Sequence, residues 1–582
     1  IPVEQIDGTC NHLRGDAFSR GFYPILPADT EFAAKWSALC RIHLEEGIRD
    51  PVKVVEYLNH FYVMEGHKRV SVLKYFGAIT IPATVTRLLP KPSDDPEVAA
   101  YYEFLDFYKM TGLNFIVFRQ PGEYPELLEA LGRSDSDAWS AEDIYSFRAF
   151  FYMFRDAYLR GDWDYTGISL AFLTYIKIFG YQESCGKMPS QICEELSRIR
   201  PEIQNRLENA GTALLLEDDV KKPRFSFYTP GRVCAAFIHD SSAAASKWVY
   251  SHEYGRHILE NFTDGQVRTL SYENVRTDGE VDQAVEDAVR RGANVIFTTT
   301  PKLLLSSVRQ AALHPDVKIL NCSLNTSYPS VRTYYPRTYE VTYLLGMLAG
   351  IVSHSDKVGY VAANPVYGVP AAINAFAQGV RAVRPDSRVV LRWACLCDAA
   401  HPQDFSDRKD IEVFYSQDFR EPEGTYRDYG LCRRLPDGVL QPLGLPEWRW
   451  DVFFTEIVRS VFAGTWDSAP GGRAINYWWG LKSGAERVEY PTRLNDGTMQ
   501  LLKMAERQLC DGEIQVFPTE SYSQGHALHH AASGIYTPKE LMEMDWLEEC
   551  VEGELPSYDE LDAKTRSLLN INGLDNVKGT PQ

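Results

Sequence analysis

No stretch of this 582-residue chain is apolar for the roughly 20 residues that a bilayer-spanning helix needs. Basic residues are also short. Lys and Arg number 60 against 79 Asp and Glu, a formal net charge of −19. Such a chain repels phosphate backbones unless its bases are gathered into a patch. The pairs Lys68-Arg69, Lys221-Lys222 and Arg290-Arg291 stand apart instead. The eleven cysteines include no C-x-x-C spacing. Cys395 and Cys397 have no matching His/Cys pair, so no metal site is expected. Scattered thiols in an odd number point to a reducing compartment. No G-x-S-x-G elbow, phosphate-binding G-K-T loop or G-x-G-x-x-G fingerprint occurs. Catalytic residues and cofactors are therefore not expected. The chain opens at Ile1 without a signal-type apolar region. A cytoplasmic location is the expectation, with an extracytoplasmic lipoprotein whose upstream signal was removed as the alternative.

What the chain does have is the length for several domains and the composition of a globular protein, 45% hydrophobic and 24% charged. Residues 31–46 carry apolar side chains at helical spacing. Short strands at 52–55 and 60–64 flank Asn59, a hairpin signal, and a helix over 68–75 and a strand over 79–86 follow. Residues 95–215 are helical and rich in aromatics, as in SFRAFFYMFRDAYL. The last two helices there, joined through 180–189, read as a helix-turn-helix, with Arg, Asn and Gln over 197–206 to meet base edges. DNA binding is thus a secondary reading. Residues 214–223 are charged and read as a linker.

From Phe225 the pattern alternates between strand and helix. Strands are expected at 233–238, 269–272, 295–299, 318–321, 357–361 and 387–393. Helices are expected at 246–261, 280–290, 302–312, 340–353 and 371–383. This rhythm means a parallel α/β sheet whose strand ends open onto one crevice. The stretch 232–261 organises the rest: a buried strand, a Ser- and Ala-rich loop and a helix with Ser246 as N-cap. Trp248, Tyr250 and His252 crowd the start of that helix. Aromatic faces beside backbone N–H groups suit a flat, polar, heteroaromatic ligand.

Residues 20–90 resemble ParB-type partition proteins and their sulfiredoxin-like relatives. The residues that carry this are Asp50-Pro51-Val52-Lys53-Val54, Tyr62 through Leu73, Gly77 and Ile81-Pro82-Ala83. The resemblance implies a phosphate-holding turn at Gly66, His67, Lys68 and Arg69, since helix N-termini attract anions. Gly66 stands where sulfiredoxins have Cys, and His67-Lys68-Arg69 replaces the partition proteins' Glu-Arg-Arg run.

Residues 224–556 resemble the basic membrane protein (BMP) family, the PnrA-like nucleoside binders. The matching stretches are Trp248-x-x-x-His252-x-x-Gly255-Arg256, Ile296 to Thr300, Tyr339-Glu340-x-x-Tyr343-Leu344-x-Gly346-Met347-x-Ala349-Gly350, Val358 to Ala362, Ile373 to Gly379, Phe462 to Trp466, Gly480 to Gly484, Asp511 to Phe517 and Met544 to Leu547. This implies a type I periplasmic-binding-protein fold, with crossovers near 330–336, 444–450 and 477–480. The lobes would be 224–332 plus 448–477 and 333–447 plus 480–550. It implies a purine base or nucleoside as ligand. Trp248 is the first choice for stacking. Tyr250, His252, Thr298, Thr299, Thr300, Tyr367, Gly368, Gln417, Asp418, Trp478 and Trp479 complete the expected contacts. Thr300-Pro301 stands where nucleoside binders carry an acid, and the first motif is similar to members that hold a free base such as adenine. The segment 394–414 is short and lacks most of a family helix. His526, His529 and His530 fall in the family's tail hairpin.

The expected organisation is therefore a ParB/sulfiredoxin-like α+β domain at 1–94, a helical linker domain at 95–220, a two-lobed α/β ligand-binding domain at 221–556 and a tail at 557–582. A sensor or carrier of a purine base or nucleoside is the first functional reading, with a homodimer as a further assembly. The alternatives are a nucleotide-dependent or DNA-engaging switch regulated by the BMP-like part, and a solute-binding subunit of an ABC transporter.

Overall fold

The computed structural model describes the chain except residues 11–15, 94, 136, 162, 164, 220–232, 263–265, 398–404, 418–429, 467–472, 575–576 and 578–582. It divides into two compact units, Ile1–Ser197 and Arg198–Gln582.

In the first unit, β1 (Ile6–Thr9), β2 (Val52–Tyr57), β3 (His60–Glu65) and β4 (Ala83–Arg87) form a sheet in the order β1-β3-β2-β4. The hairpin expected about Asn59 turns through Leu58 and Asn59, both left-handed at φ 52 and 62. That geometry matches the twist of the flanking strands. Val52, Val54, Phe61 and Val63 face inward. They meet Val70 and Leu73 of α2 (His67–Tyr75), which follows α1 (Glu31–Glu45) in the chain.

Next come α3 (Pro96–Thr111), α4 (Glu123–Ala130), α5 (Ala141–Leu159), α6 (Ile168–Phe179), α7 (Tyr181–Cys185) and α8 (Pro189–Arg198). Their aromatic rows form the core. Phe147, Phe151 and Phe154 of α5 meet Phe172 of α6 edge-on at 5.6, 5.1 and 5.2 Å, the arrangement the ring quadrupoles favour.

The base-reading face expected over 197–206 is not formed. The helix breaks at Ile199 and resumes as α9 (Arg200–Leu207), where Glu202 and Asn205 are buried. Asn205 donates to the Ser327 carbonyl at 2.7 Å, and Glu202 accepts from the Ser330 backbone at 3.0 Å. These polar groups hold a loop of their own unit and do not face solvent.

The second unit begins its sheet earlier than the expected linker allows. β5 (Thr212–Leu215) takes Leu214 and Leu215 into a strand. In chain order it is followed by β6 (Val233–Ile238), α10 (Lys247–Phe262), β7 (Val267–Tyr272), α11 (Asp278–Arg290), β8 (Val295–Thr298), α12 (Leu304–Leu313), β9 (Lys318–Asn321) and β10 (Val331–Pro336). The chain then crosses to a second lobe: α13 (Tyr339–Val352), β11 (Lys357–Ala362), α14 (Val369–Val383), β12 (Arg388–Trp393), β13 (Val413–Ser416), β14 (Gly430–Arg434) and β15 (Leu440–Trp448). It returns through α15 (Trp450–Phe462) and β16 (Ala474–Trp479), then crosses again to β17 (Glu486–Glu489) and α16 (Asp496–Cys510). The hairpin of β18 (Glu520–Tyr522) and β19 (Leu528–His530), then α17 (Pro538–Met542), β20 (Val551–Glu552) and α18 (Ala563–Asn572) complete it.

Lobe one is a parallel sheet of order β5-β16-β10-β9-β8-β6-β7. Lobe two has the order β17-β15-β14-β13-β11-β12-β20. Its β14, β15 and β17 run antiparallel to their neighbours, so this sheet is mixed and not the wholly parallel one the strand–helix rhythm predicts. The crossovers follow β10, β15 and β16, close to their expected places.

Lobe two is held by a close helix crossing. A Cβ on Gly346 of α13 would lie 2.1 Å from the Phe376 carbonyl oxygen, and one on Gly379 of α14 would lie 2.1 Å from that of Tyr343. The reciprocal glycines let the two backbones touch, which is the physical content of the glycine spacing in both motifs. The described part of the expected tail adds apolar side chains to lobe two. Leu561, Leu569 and Leu574 are wholly buried in the lobe-two core.

Candidate functional site

Parallel strands of each lobe end on the same side, and the loops after them meet at the crevice. In lobe one these are the loops after β6, β8 and β9. Helix α10 starts beside the first. Ser246 Oγ accepts from the Val249 backbone at 3.3 Å, as expected of an N-cap. Trp248 is half-buried, and its Nε1 donates to the Thr299 carbonyl at 2.8 Å. The indole is thereby pinned to the loop after β8. Trp448 and Trp450 meet it edge-on at 5.1 and 5.3 Å, and Tyr335 lies at 6.0 Å. These three aromatics come from two of the crossovers. Sequence reasoning missed them as neighbours of Trp248, although the W-R-W run at 448–450 was the available signal.

His252 lies one turn beyond Trp248 and is wholly buried. Its ring stacks on Trp450 at 4.2 Å. Its Nδ1 lies 2.8 Å from the Trp248 carbonyl, which can only accept, so Nδ1 carries the proton. Burial pushes the imidazole down to about 3, leaving it neutral with Nε2 as an acceptor. That Nε2 has no partner. Gly255 brings α15 to this point: a Cβ there would lie 2.8 Å from both the Asp451 nitrogen and Trp450 Cβ. Glu253 and Arg256 serve the strand ends. Glu253 accepts from Arg256 at 2.8 Å and pairs with His239 at 3.0 Å, while Arg256 also reaches Thr269 at 2.6 Å. Burial raises the Glu253 carboxyl, but the His239 and Arg256 hydrogen bonds outweigh it and hold the group far below the carboxylate range. His239 in turn meets the Thr299 hydroxyl at 2.9 Å.

The expected contacts sort by geometry. Tyr250 is exposed and stacks on Tyr254 at 6.4 Å. Two residues along a helix turn it away from the face shared by Trp248 and His252. Thr298 is committed inward, to Ser307 at 2.9 Å and to Asn321 Nδ2 at 2.8 Å. The Thr299 hydroxyl is taken by His239. Thr300 offers its carbonyl to Asn321 at 2.9 Å. In lobe two, Gln417 donates to the Tyr360 hydroxyl at 3.2 Å and accepts from the Ala363 nitrogen at 3.0 Å, so its amide shapes the loop after β11. Tyr367 is buried, and Gly368 donates to the Met542 carbonyl. A Cβ on Gly368 would lie 3.8 Å from Trp478 and 3.9 Å from Leu324, so the lobes meet here. Trp478 therefore faces lobe two, whereas Trp479 is packed on Phe453 at 5.1 Å in the lobe-one core. Neighbouring strand residues point to opposite faces, so the two tryptophans do not form one wall. Asp418 lies outside the described residues.

Two polar atoms at the end of β9 were not anticipated. Asn321 Oδ1 and Ser323 Oγ are buried and have no hydrogen-bond partner. Buried polar atoms are ordinarily paired, and these lie just before Leu324, which approaches Gly368 of lobe two. The pairing of β9 with β8 sets Asn321 beside Thr300, and Ser323 follows two residues on, so no sequence signal marks them.

Behind the crevice, the hinge carries a charged cluster. Arg337 Nη2 lies 2.8 Å from Glu217 and 2.9 Å from Glu340. Glu486 is buried with no partner for either oxygen, and burial pushes its carboxyl well up.

In the first unit, the expected phosphate turn has Gly66 in the left-handed region as the N-cap of α2. Arg69 donates to the Asp50 and Pro51 carbonyls at 3.0 and 2.8 Å, His67 pairs with the Thr9 hydroxyl at 2.6 Å, and Lys68 lies 4.5 Å over the Phe32 ring. In the expected tail hairpin, His529 stacks on Trp546 at 4.1 Å. Among the described residues no group of three His, Cys, Asp or Glu is placed to hold a metal ion, and no helix is long and apolar enough to cross a membrane.

Comparison with known proteins bears on the second unit. The chain is 26% identical over 298 residues to a purine-binding protein of Brucella abortus (strain 2308), covering 48% of this chain and 82% of that protein. It is 23% identical over 340 residues to a Haloferax volcanii protein provisionally named as an ABC-transporter glucose-binding protein, covering 56% and 82%. A solved solute-binding protein of an ABC transporter system from Conexibacter woesei aligns at 14% identity and a TM-score of 0.38, covering 48% of this chain and 97% of that one. Residues 233–401 match the model of the Bmp family, described as ABC transporter substrate-binding protein PnrA-like, so this stretch of the two-lobed α/β unit is similar to that family.

Proposed function

We propose that the second unit binds a purine base or nucleoside, without catalysis, in the crevice between its lobes. The observation that carries this is the pairing of a half-buried, pinned indole with partnerless polar atoms nearby. Trp248 is fixed through Nε1 and supplies a rigid flat surface, while Asn321 Oδ1 and Ser323 Oγ stand unpaired at the neighbouring strand end. A purine presents a stacking face together with N–H groups that an amide oxygen accepts. Stacking on an aromatic contributes about 0.5–1.5 kcal/mol beyond the area buried, and filling the empty polar positions adds about 1 kcal/mol each. The purine-binding relative supports the ligand class.

The free-base form, adenine-like, is favoured over a nucleoside. Thr300-Pro301 offers no carboxylate for a base. We assign the protein the role of a sensor or carrier, with delivery to an ABC transporter as the alternative. Cell fractionation separates the two, since a transporter subunit is found outside the cytoplasmic membrane. The test of the ligand class is a thermal shift with adenine, hypoxanthine, guanine, their nucleosides and glucose. Ligand at a hundred times its dissociation constant stabilises a single-site protein by about 2.7 kcal/mol. A rise with a purine and none with glucose is the expected result; a rise with glucose alone overturns the reading.

A further inference from the structure

We propose that the C-terminal helix α18 is a strap across the crevice, which joins the two lobes in the absence of ligand and must yield for a ligand to enter. The inference rests on the reading of the crevice as the binding site.

Both ends of the strap are sewn to lobe two. Before the helix, Asp562 N donates to the Cys395 carbonyl at 2.9 Å and Cys397 N to the Glu560 carbonyl at 2.8 Å. After it, Leu574 N donates to the Pro365 carbonyl at 3.3 Å, and from within it Thr565 Oγ1 donates to Asn364 Oδ1 at 3.0 Å. These partners lie in the loops after β11 and β12, at the strand ends that face the crevice. On its other side α18 packs against the turn Pro301–Leu303, which follows β8 in lobe one. That turn comes directly after Thr300. Leu561, Leu569 and Leu574 are wholly buried in one apolar cluster with Leu324 of lobe one and Tyr367 of lobe two. One helix thus touches the strand-end loops of both lobes beside Thr300, Tyr367 and Gly368.

Two-lobed proteins of this kind close by hinge motion, and a ligand shifts the balance by binding the closed form better. A built-in contact between the lobes favours closure when the crevice is empty. It also stands over the strand ends by which a ligand would arrive. The strap therefore slows both entry and release, and it lowers the contrast between the empty and filled states.

The test uses the full chain with Leu569→Ala, which removes a buried strap side chain but keeps a good helix former, and separately Thr565→Val, which removes only a hydrogen bond. Amide hydrogen exchange is read without ligand. The strap predicts at least tenfold faster exchange in the 301–304 turn of lobe one in both variants, with β6 and β11 unchanged. Faster exchange confined to α18, with the 301–304 turn as protected as before, overturns it. Stopped-flow tryptophan fluorescence with adenine then gives the rate of entry. Association at least several-fold faster in both variants is expected, and equal rates overturn the gating role. If neither parent nor variants bind any purine, the ligand reading fails while the exchange result still decides whether α18 ties the lobes.

Discussion

Replacing Gly255 by alanine tests how the W-x-x-x-H-x-x-G-R motif shapes the site. In an open helix interior the change stabilises by about 0.8–1 kcal/mol, because glycine loses more backbone entropy on folding. At Gly255 the new Cβ would lie 2.8 Å from the Asp451 nitrogen and from Trp450 Cβ. Ordinary contact begins near 3.4 Å, so α15 must retreat by roughly 0.6 Å at its first turn. Overpacking of this kind costs about 1–3 kcal/mol, leaving a net loss of about 1 kcal/mol once the helical gain is set against it. The retreat also pulls Trp450 off His252, on which it stacks at 4.2 Å, and loosens the edge contact with Trp248. Gly279→Ala in α11, with open space around the added methyl, is the control. Native-state hydrogen exchange of β6 reads the stability of the second unit alone. Gly255→Ala is expected to lower its opening free energy while Gly279→Ala leaves it equal or higher. If Gly255→Ala raises it as the control does, the close approach of α10 and α15 is not what the motif provides.

Four further outcomes are expected. Trp248→Ala removes the stacking face and abolishes a purine-dependent thermal shift, while Tyr250→Ala, on the outer face of α10, leaves it intact. Burial raises the Glu486 carboxyl in the folded state above its unfolded value, so the stability present below about 4.5 is lost as pH rises toward the folded value; Glu486→Gln therefore melts higher than the parent at pH 8, with the gap closing toward pH 4.5. His252 has its folded value lowered from 6.5 to about 3. It thus costs stability as pH falls through that window, about 3 kcal/mol between pH 7 and pH 4 at roughly 1.4 kcal/mol per unit, and His252→Phe, which keeps a ring on Trp450, removes that share of the acid sensitivity seen in urea unfolding. Gly379→Ala, whose Cβ would strike the Tyr343 carbonyl oxygen at 2.1 Å, separates α13 from α14 and lowers the urea midpoint, whereas an unchanged midpoint would mean that the crossing relaxes freely.

Buried parallel strands announced themselves. Val233–Ile238 is a short apolar run leading into α10 and Lys318–Asn321 a short run following α12, and the structure keeps both boundaries. The antiparallel strand β15 did not. It contains Pro442 and Pro446, and proline ordinarily argues against a paired strand. β5 was hidden because Thr212–Leu215 is only half-buried and ends against an acidic run. The site divides in the same way. Trp248 was legible because a motif places it at a helix start beside a strand end. Tyr250 and Trp479 were misplaced because closeness in sequence does not mean a shared face, on a helix or on a strand. Asn321 and Ser323 were invisible because their significance lies in lacking a partner, which only the folded loop reveals. The short apolar pattern at Leu561, Leu569 and Leu574 gives no hint in the sequence of what it packs on.

Binding of a purine in the crevice is the proposal on which the rest depends. Its most direct test is isothermal calorimetry on protein unfolded and refolded to free it of any carried ligand, titrated with adenine, hypoxanthine, guanine and their nucleosides. Saturable one-to-one heat with at least one of them is expected, strongest for a free base and lost in Trp248→Ala. No saturable heat with any purine, from refolded protein whose β6 and β11 amides are fully protected, would contradict it.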